Sequence, residues 1–229
     1  MMGERTSMRI ECMDALELLK SISDKSVDLI LTDPPYIFKN TQGGGQFGSK
    51  HRTYHAELET LSNGITYDVL DEMIRVLKNP NIYIWCNKAQ IQQYLNYFTE
   101  KKCTFDLLTW HKTNPTPTCH NKYLSDTEYC LFFRKGAKLY GQYSTKHKYW
   151  ITPANAEDKK LYGHPTCKPV NIFEQLICNS TLEGDVVCDP YLGSGTTAVA
   201  CKISNREFIG GDIDENYVKT AKMRVNSTF

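Results

Sequence analysis

The sequence predicts an α/β domain in which helices cover both faces of a mostly parallel β-sheet. Short apolar runs alternate along the chain with segments whose apolar residues recur at the spacing of one helix face. The run VDLIL before Thr32 is almost continuously apolar, which is typical of a parallel strand buried on both faces. The chain has 229 residues, 41% of them hydrophobic, so we expect residues 1–229 to form a single domain with a full core.

Strands are predicted where short apolar runs are bounded by turn-forming residues. A buried strand ends at Thr32, and further runs end at acidic residues late in the chain. The predicted strands are Met8–Cys12, Val27–Thr32, Ile82–Cys86, Phe105–Trp110, Tyr129–Phe133, Asp185–Asp189 and Phe208–Asp212.

Helices are predicted where apolar residues fall on one face. After Gly64, for example, Val69, Leu70 and Met73 recur at helical spacing, and Pro80 ends the helix because proline cannot continue the backbone ladder. The predicted helices are Asp14–Ile22, residues 65–78, Ala89–Phe98, Pro169–Asn179, Thr196–Ile203 and Glu215–Val225.

The composition argues against a membrane protein, a secreted protein and a zinc protein. The longest apolar runs are far too short to cross a bilayer, and the start, MMGERTSMRI, lacks the apolar core of a secretory signal. The nine cysteines form no CxxC motif, so we interpret most of them as buried thiols in a reducing compartment. We therefore expect a cytoplasmic protein without a metal site.

Two stretches lack acidic residues, although the net charge of the chain is only +1. Residues 37–56 and 129–156 contain several basic side chains, and the second stretch interleaves them with aromatic residues such as Tyr143 and Trp150. This pattern suits the phosphates and exposed bases of a nucleic acid. It fits equally well a solvated surface with a β-hairpin that buries its aromatic residues.

The stretch DVVCDPYLGSGTTAVA combines a strand, a glycine loop and a helix. The strand ends at Asp189, Gly193 and Gly195 lie in the loop, and the helix begins at Thr196. Such loops bind ligands at the carboxyl ends of strands, and the next strand ends in Asp212, near the position at which an acid binds a ribose. The GK[ST] ending of a phosphate-binding loop is absent, so a nucleoside with an amine and a carboxylate fits better than ATP.

The stretch TDPPY follows the buried strand VDLIL. A simple turn needs neither a carboxylate nor an aromatic ring beside two prolines, and proline fixes the backbone while leaving its carbonyl free. Asp33 and Tyr36 are therefore candidate functional residues. The alternatives are a plain turn residue for Asp33 and a core aromatic residue for Tyr36.

DPPY and DPYLGSGTT together resemble the motifs of the amino-group DNA methyltransferases that use S-adenosylmethionine. DPPY precedes the cofactor loop in the chain, as in the β-type members of that family. Further resemblance lies in CMDAL around Asp14, HPTCKP with Lys168, WHKTNPTP from Trp110 and EYCLFF at Glu128. The resemblance extends from about Met8 to Val225.

The resemblance implies a circularly permuted Rossmann-like methyltransferase sheet of seven strands. The strand that ends at Asp189 would be the first strand of the unpermuted sheet, whereas this chain opens with the third and the fourth. The cofactor site would then combine residues from both ends of the chain. The resemblance also implies a small target-recognition segment at residues 111–160, and therefore a short recognition sequence or help from a homodimer.

The resemblance further implies roles for individual residues. Asp33 and the Pro34 carbonyl would accept the two N–H groups of the target amine, Pro35 would help to fix the turn, and Tyr36 would stack on a base flipped out of the duplex. The residues implied to bind S-adenosylmethionine are Asp14, Asp33, Lys168, Asp189, Tyr191, Gly193, Ser194, Gly195, Thr196, Thr197 and Asp212. The residues predicted to contact nucleic acid are Lys39, Lys50, Arg52, Lys112, Asn114, Lys146 and Lys148.

Three of these assignments have structural alternatives. Asp14 can be the N-cap of the first helix instead of a cofactor contact, and Lys168 can be a surface charge. Asp212 can cap the last helix, although Asp214 is an equally good cap.

The motif DPPY favours the N6 amine of adenine in double-stranded DNA, since N4-cytosine enzymes of the family more often have Ser in place of Asp33. N4-cytosine in DNA, an RNA substrate and a binding protein without activity are the alternatives. Enzymes that methylate protein glutamine carry NPPY, so Asp33 argues against that substrate. No cysteine follows a proline, so the Pro-Cys nucleophile of C5-cytosine enzymes is absent from the sequence.

Overall fold

A computed structural model describes residues 7–36, 64–115, 117, 121–155 and 167–228. The strands are β1 (Met8–Cys12), β2 (Leu29–Thr32), β3 (Asn81–Cys86), β4 (Thr104–Lys112), β5 (Thr127–Arg134), β6 (Tyr149–Thr152), β7 (Val186–Asp189) and β8 (Glu207–Asp212). The helices are α1 (Ala15–Lys20), α2 (Tyr67–Val76), α3 (Ile91–Glu100), α4 (Val170–Ser180), α5 (Thr196–Ile203) and α6 (Glu215–Ser227).

The described strands form one sheet in the order β1-β8-β7-β2-β3-β5-β4-β6. The neighbours from β1 to β3 run parallel, β5 runs antiparallel to both β3 and β4, and β6 runs parallel to β4. The two strands that open the chain, β1 and β2, lie on either side of the β8–β7 pair from the end of the chain. This order confirms the mostly parallel, circularly permuted sheet.

The sheet differs from the prediction in having an eighth strand, β6, within the segment assigned to target recognition. Its residues pair with the end of β4, from Thr109 with Tyr149 to Lys112 with Thr152. Trp150 fixes this strand, because its ring packs against the core and its Nε1 donates to Gln175 Oε1 of α4 at 3.0 Å. Part of the predicted recognition segment is therefore an edge strand of the sheet.

Each face of the sheet is covered by helices and has its own apolar core. On one face α4, α5 and α6 pack over the sheet, and the rings of Trp85 and Phe173 stack with centroids 5.8 Å apart. On the other face α1, α2 and α3 enclose a second core in which Phe98 stacks on Phe133 at 4.3 Å. Burial of one such phenylalanine stabilises the fold by about 1.5–3 kcal/mol.

The strand directions bring the candidate residues to one edge of the sheet. Because β1, β2, β3, β7 and β8 are parallel, the residues that follow Thr32 lie at the same edge as Asp189 and Asp212. The antiparallel β5 begins at this edge, so Glu128 lies opposite Trp110 near the end of β4. We call this the carboxyl edge.

Among the residues that the structure describes, no helix has the length and apolarity that crossing a bilayer requires. In that part of the chain, no three His, Cys, Asp or Glu side chains lie close enough together to hold a metal ion.

Candidate active site

Asp33 lies directly after β2 at the carboxyl edge, and its two oxygens have different environments. Oδ2 forms an ion pair with the Lys168 ammonium, whereas Oδ1 is buried and accepts no hydrogen bond from the residues that the structure describes. Burial raises the pKa of Asp33 and the nearby Lys168 opposes this rise. A buried acceptor without a donor is unfavourable in a plain turn, so Asp33 remains a candidate binding residue.

Lys168 precedes α4 and is only 2% exposed, so the alternative of a surface charge is wrong. Its ammonium contacts Asp33, lies 3.1 Å from Glu128 Oε2 and donates to the Tyr36 hydroxyl at 3.3 Å. Burial alone would lower the pKa of Lys168, but the two carboxylates raise it above its ordinary value. Lys168 is therefore a charged lysine that pairs with the DPPY motif.

Glu128, near the beginning of β5, is a member of the site to which the sequence assigned no role. Its carboxylate pairs with Lys168 and with Lys112, and the Tyr36 hydroxyl donates to its Oε2 at 3.4 Å. Burial opposes ionisation, but the two lysines outweigh it and lower the pKa of Glu128 to about 2. The only sequence signal for this residue is its position at the start of the motif EYCLFF.

The prolines hold Tyr36 beside these charges. The Pro35 carbonyl accepts a hydrogen bond from Gln90 Nε2 at 3.1 Å, which ties the turn to the segment before α3. The Lys168 ammonium lies 5.4 Å from the centre of the Tyr36 ring. Burial, followed by the charges of Asp33 and Glu128, raises the pKa of Tyr36, so its hydroxyl stays protonated.

Asp189, predicted to bind the cofactor, holds the glycine loop in place. It is 2% exposed, and it accepts hydrogen bonds from the hydroxyls of Thr32, at 2.7 Å, and Thr197. The backbone N–H of Tyr191 also donates to it at 3.1 Å. Burial raises the pKa of Asp189 to about 7. These contacts connect the loop and the start of α5 to the strand that ends beside Asp33.

Asp212 anchors the same loop from β8. Its Oδ2 accepts from the Gly193 N–H and its Oδ1 accepts from the Asp214 N–H, both at 2.9 Å. The N-cap of α6 is Asp214, which accepts from Asn216 N at 2.7 Å, so the assignment of the cap to Asp212 is wrong.

Gly195 is required by packing as well as by backbone conformation. Its φ is +86°, and a Cβ at this position would lie 2.6 Å from the Ala221 Cβ of α6. The sequence placed this glycine in a loop of a kind that binds ligands. The structure shows that it lets two helices approach each other.

Asp14 is the N-cap of α1, since its side chain accepts from Leu16 N at 2.8 Å. This cap uses one of the two oxygens of the carboxylate. Asp14 lies beside the loop, where its charge adds to the effect of burial in raising the pKa of Tyr191. The neighbouring Met13 N–H donates to the Asp212 backbone carbonyl at 3.0 Å, which joins the two ends of the chain.

The side chains at the start of α5 face the protein interior. Ser194 and Thr196 are buried, and the guanidinium of the buried Arg224 donates to the Ser194 carbonyl at 2.8 Å and to its hydroxyl at 3.1 Å. The Thr196 hydroxyl donates to the Lys168 carbonyl at 3.5 Å. These side chains therefore connect the glycine loop to the segment that carries Lys168.

Four of the residues predicted to contact nucleic acid lie within the described ranges, and they have other partners. Lys112 pairs with Glu128, and Asn114 Oδ1 accepts from the Ala154 N–H at 2.6 Å. Lys146 donates to the Leu139 carbonyl at 3.5 Å. Lys148 pairs with Asp106 near the beginning of β4, so its ammonium points away from the carboxyl edge and its placement does not support the prediction. Lys39, Lys50 and Arg52 lie outside the described residues.

In the acid-free stretch 129–156, some aromatic residues are buried in a β-hairpin, and others are exposed as a nucleic-acid-binding surface would require. Phe132 and Phe133 are buried in β5, which forms a hairpin with β4. Tyr143 is 92% exposed and Tyr149 is 55% exposed.

Comparison with known proteins places this site in a family. The sequence pattern of the N6/N4 family, described as DNA methylase, matches residues 27–223. The chain is 33% identical to the Type II methyltransferase M2.LlaDCHI of Lactococcus lactis subsp. cremoris, over 93% of this chain and 87% of that relative.

Solved structures show the same architecture. The chain is similar to M1.HpyAVI in its SAM complex, with a TM-score of 0.70 and 26% identity over 95% of this chain and 99% of that chain. It shares the fold of the cytosine-N4-specific PvuII DNA methyltransferase, with a TM-score of 0.71 at 17% identity over 97% of this chain and 89% of that chain. The family pattern covers most of the chain, including both the DPPY motif and the glycine loop, and the protein therefore belongs to the N6/N4 family of DNA methylases.

Proposed function

We propose that this DNA methylase transfers a methyl group from S-adenosylmethionine to the N6 amine of adenine in duplex DNA, by direct transfer to a flipped base. The observation that carries the proposal is the buried, unpartnered Oδ1 of Asp33 at the carboxyl edge. An exocyclic amine has two N–H groups, and a buried acceptor of this kind requires a donor that the described residues do not supply.

The residues of the DPPY motif fit the demands of that amine. Its lone pair is delocalised into the ring, so the nitrogen is a weak nucleophile. N–H donation to Asp33 Oδ1 and to the Pro34 carbonyl favours a tetrahedral nitrogen with a localised lone pair. Tyr36 supplies a ring on which the flipped base stacks, worth about 1–3 kcal/mol. Orientation and a dry, charged pocket then account for the rate gain without a covalent intermediate.

The cofactor fits the loop between β7 and α5. S-adenosylmethionine would supply a methyl group on a positively charged sulfur. The amine nitrogen would bond to the methyl carbon as the carbon–sulfur bond breaks, and S-adenosylhomocysteine would leave as a neutral thioether. Asp212 and Asp14 bring two carboxylates to this loop, and Asp189 holds the loop against the strand that leads to Asp33. After transfer the nitrogen must release one proton, and Asp33, whose pKa is raised by burial, is the nearest acceptor in this arrangement.

Adenine is proposed over cytosine because Asp33 opens the motif, in a family whose N4-cytosine members more often carry Ser there. The test is methyl transfer from labelled S-adenosylmethionine to unmethylated duplex DNA, followed by mass spectrometry of the nucleosides. We expect N6-methyladenine. N4-methylcytosine would overturn the base assignment, and label in RNA but not in DNA would overturn the substrate.

A further inference from the structure

Glu128 contacts the predicted catalytic groups without belonging to either recognised motif. Its Oε1 pairs with Lys112, and its Oε2 lies 3.1 Å from the Lys168 ammonium and 3.4 Å from the Tyr36 hydroxyl. Its side chain is 16% exposed, so water screens these interactions only weakly.

The charges around Glu128 alternate and sum to zero. Asp33, Lys168, Glu128 and Lys112 form a chain of carboxylate, ammonium, carboxylate and ammonium. Buried charges are stable only when they are paired, and removal of one partner leaves an uncompensated charge. These four charges extend from the end of β2 to the beginning of β5 and the end of β4, so they join the DPPY turn to the antiparallel part of the sheet.

We propose that Glu128 is a positioning residue for methyl transfer, which shares the Lys168 ammonium with Asp33 and so leaves Asp33 Oδ1 available to the target amine. This inference rests on the catalytic role of Asp33 in the proposed function. The geometry supports it, because the ammonium contacts Oδ2 of Asp33 while it also contacts Glu128, and Oδ1 has no hydrogen-bond partner among the described residues.

Loss of the Glu128 charge should change the ion-pair partners of the Lys168 ammonium. The ammonium has three donors and is 2% exposed, and without the Glu128 charge its remaining carboxylate partner among the described residues is Asp33. It would then compete with the amine for both oxygens of Asp33. The Tyr36 hydroxyl would lose an anionic acceptor at the same time. Both effects act on the groups proposed to contact the base and leave the contacts of the cofactor loop intact.

The first test is Glu128→Gln, which keeps the shape of the side chain and removes its charge. We expect kcat to fall about 10- to 100-fold, as for a small misplacement of reacting groups, with the KM for S-adenosylmethionine unchanged. The acid limb of the pH profile should move to lower pH, because the Glu128 charge raises the pKa of Asp33. A matched control is Glu72→Gln on α2, whose side chain is 20% exposed and pairs with Arg75 at 2.7 Å.

The double variant Glu128→Gln, Lys112→Met separates positioning from charge balance. It restores a neutral cluster of Asp33 and Lys168, so we expect thermal stability to recover while kcat stays low. Recovery of kcat together with stability would show that Glu128 only balances charge, and would overturn the proposal. If Glu128→Gln does not fold, Glu128→Asp replaces it as the test, since it keeps the charge and should retain more turnover than the double variant.

Asp33→Asn, measured in parallel, distinguishes a failure of the proposed function from a failure of the role of Glu128. Full turnover by Asp33→Asn would overturn the proposed function and the role of Glu128 with it. Loss of turnover in Asp33→Asn, combined with wild-type kcat and an unmoved acid limb in Glu128→Gln, would overturn the role of Glu128 alone.

Discussion

Replacement of Asp33 by asparagine removes one charge from the site and keeps the shape of the side chain. The variant loses the carboxylate acceptor at Oδ1, which is buried and has no hydrogen-bond partner within the described ranges. Loss of one preorganised hydrogen-bonding group in a dry site raises the barrier by about 2.7–4 kcal/mol, so kcat should fall about 10²–10³-fold. Lys168 keeps Glu128 as a partner, so the free energy of unfolding should fall by no more than about 1–3 kcal/mol.

The assay is transfer of labelled methyl groups to duplex DNA, with cofactor binding measured by calorimetry. We expect binding of S-adenosylmethionine to be largely retained while turnover is lost. Asp28→Asn is the matched control, because Asp28 lies just before the same strand, is 18% exposed against 17% for Asp33, and also pairs with a lysine, Lys78, at 2.8 Å. Turnover of Asp33→Asn equal to that of Asp28→Asn would refute the catalytic assignment of Asp33.

Three further predictions concern stability. Gly195→Ala should lower the free energy of unfolding by about 2–4 kcal/mol, from backbone strain and overpacking, whereas Gly184→Ala, with φ +81° and open space around it, should lower it by about 1 kcal/mol; equal losses in denaturant titrations would contradict the packing argument. Glu128→Gln should be about 3 kcal/mol less stable than wild type near pH 6. The difference should vanish as the pH falls from about 4.5 to about 2, because the folded-state pKa of Glu128 is lowered to about 2. A difference in stability that persists at pH 2 would disprove an origin in the Glu128 charge. Asn179→Ala removes hydrogen bonds to the Thr145 carbonyl and from its hydroxyl, at 2.8 and 2.7 Å, and should cost about 1–3 kcal/mol in thermal unfolding; an unchanged melting temperature would show that these bonds do not hold the segment before β6.

The central strands were predictable because they are buried on both faces. A run such as VDLIL has few structural alternatives when it is followed by a turn motif, and the observed β2 lies within it. The edge strand β6 was not predicted, because it is not buried on both faces. Tyr149 and Ile151 are exposed and Trp150 is the large apolar residue of β6 that packs against the core, so the strand resembles a basic, aromatic surface segment in sequence.

The two motifs of the site were visible in sequence, but several roles within them were not. An acidic residue before a helix gives the same sequence pattern whether it caps the helix or contacts a ligand. Only the structure shows that Asp214 caps α6 while Asp212 holds the Gly193 N–H. Asp189, expected at the cofactor, has its oxygens directed to Thr32 and Thr197 inside the protein.

The sequence by itself determined the α/β class, the order of the elements, the family and the two motifs that meet at the carboxyl edge, because these depend on local periodicity and on short stretches of chain. Only the tertiary structure decided which charges meet there. Lys168 and Asp33 are 135 residues apart, and Tyr36 and Glu128 are 92 residues apart. No local pattern encodes such pairs, since they depend on parallel and antiparallel strands ending at one edge of the sheet and on burial that leaves each charge dependent on its neighbours.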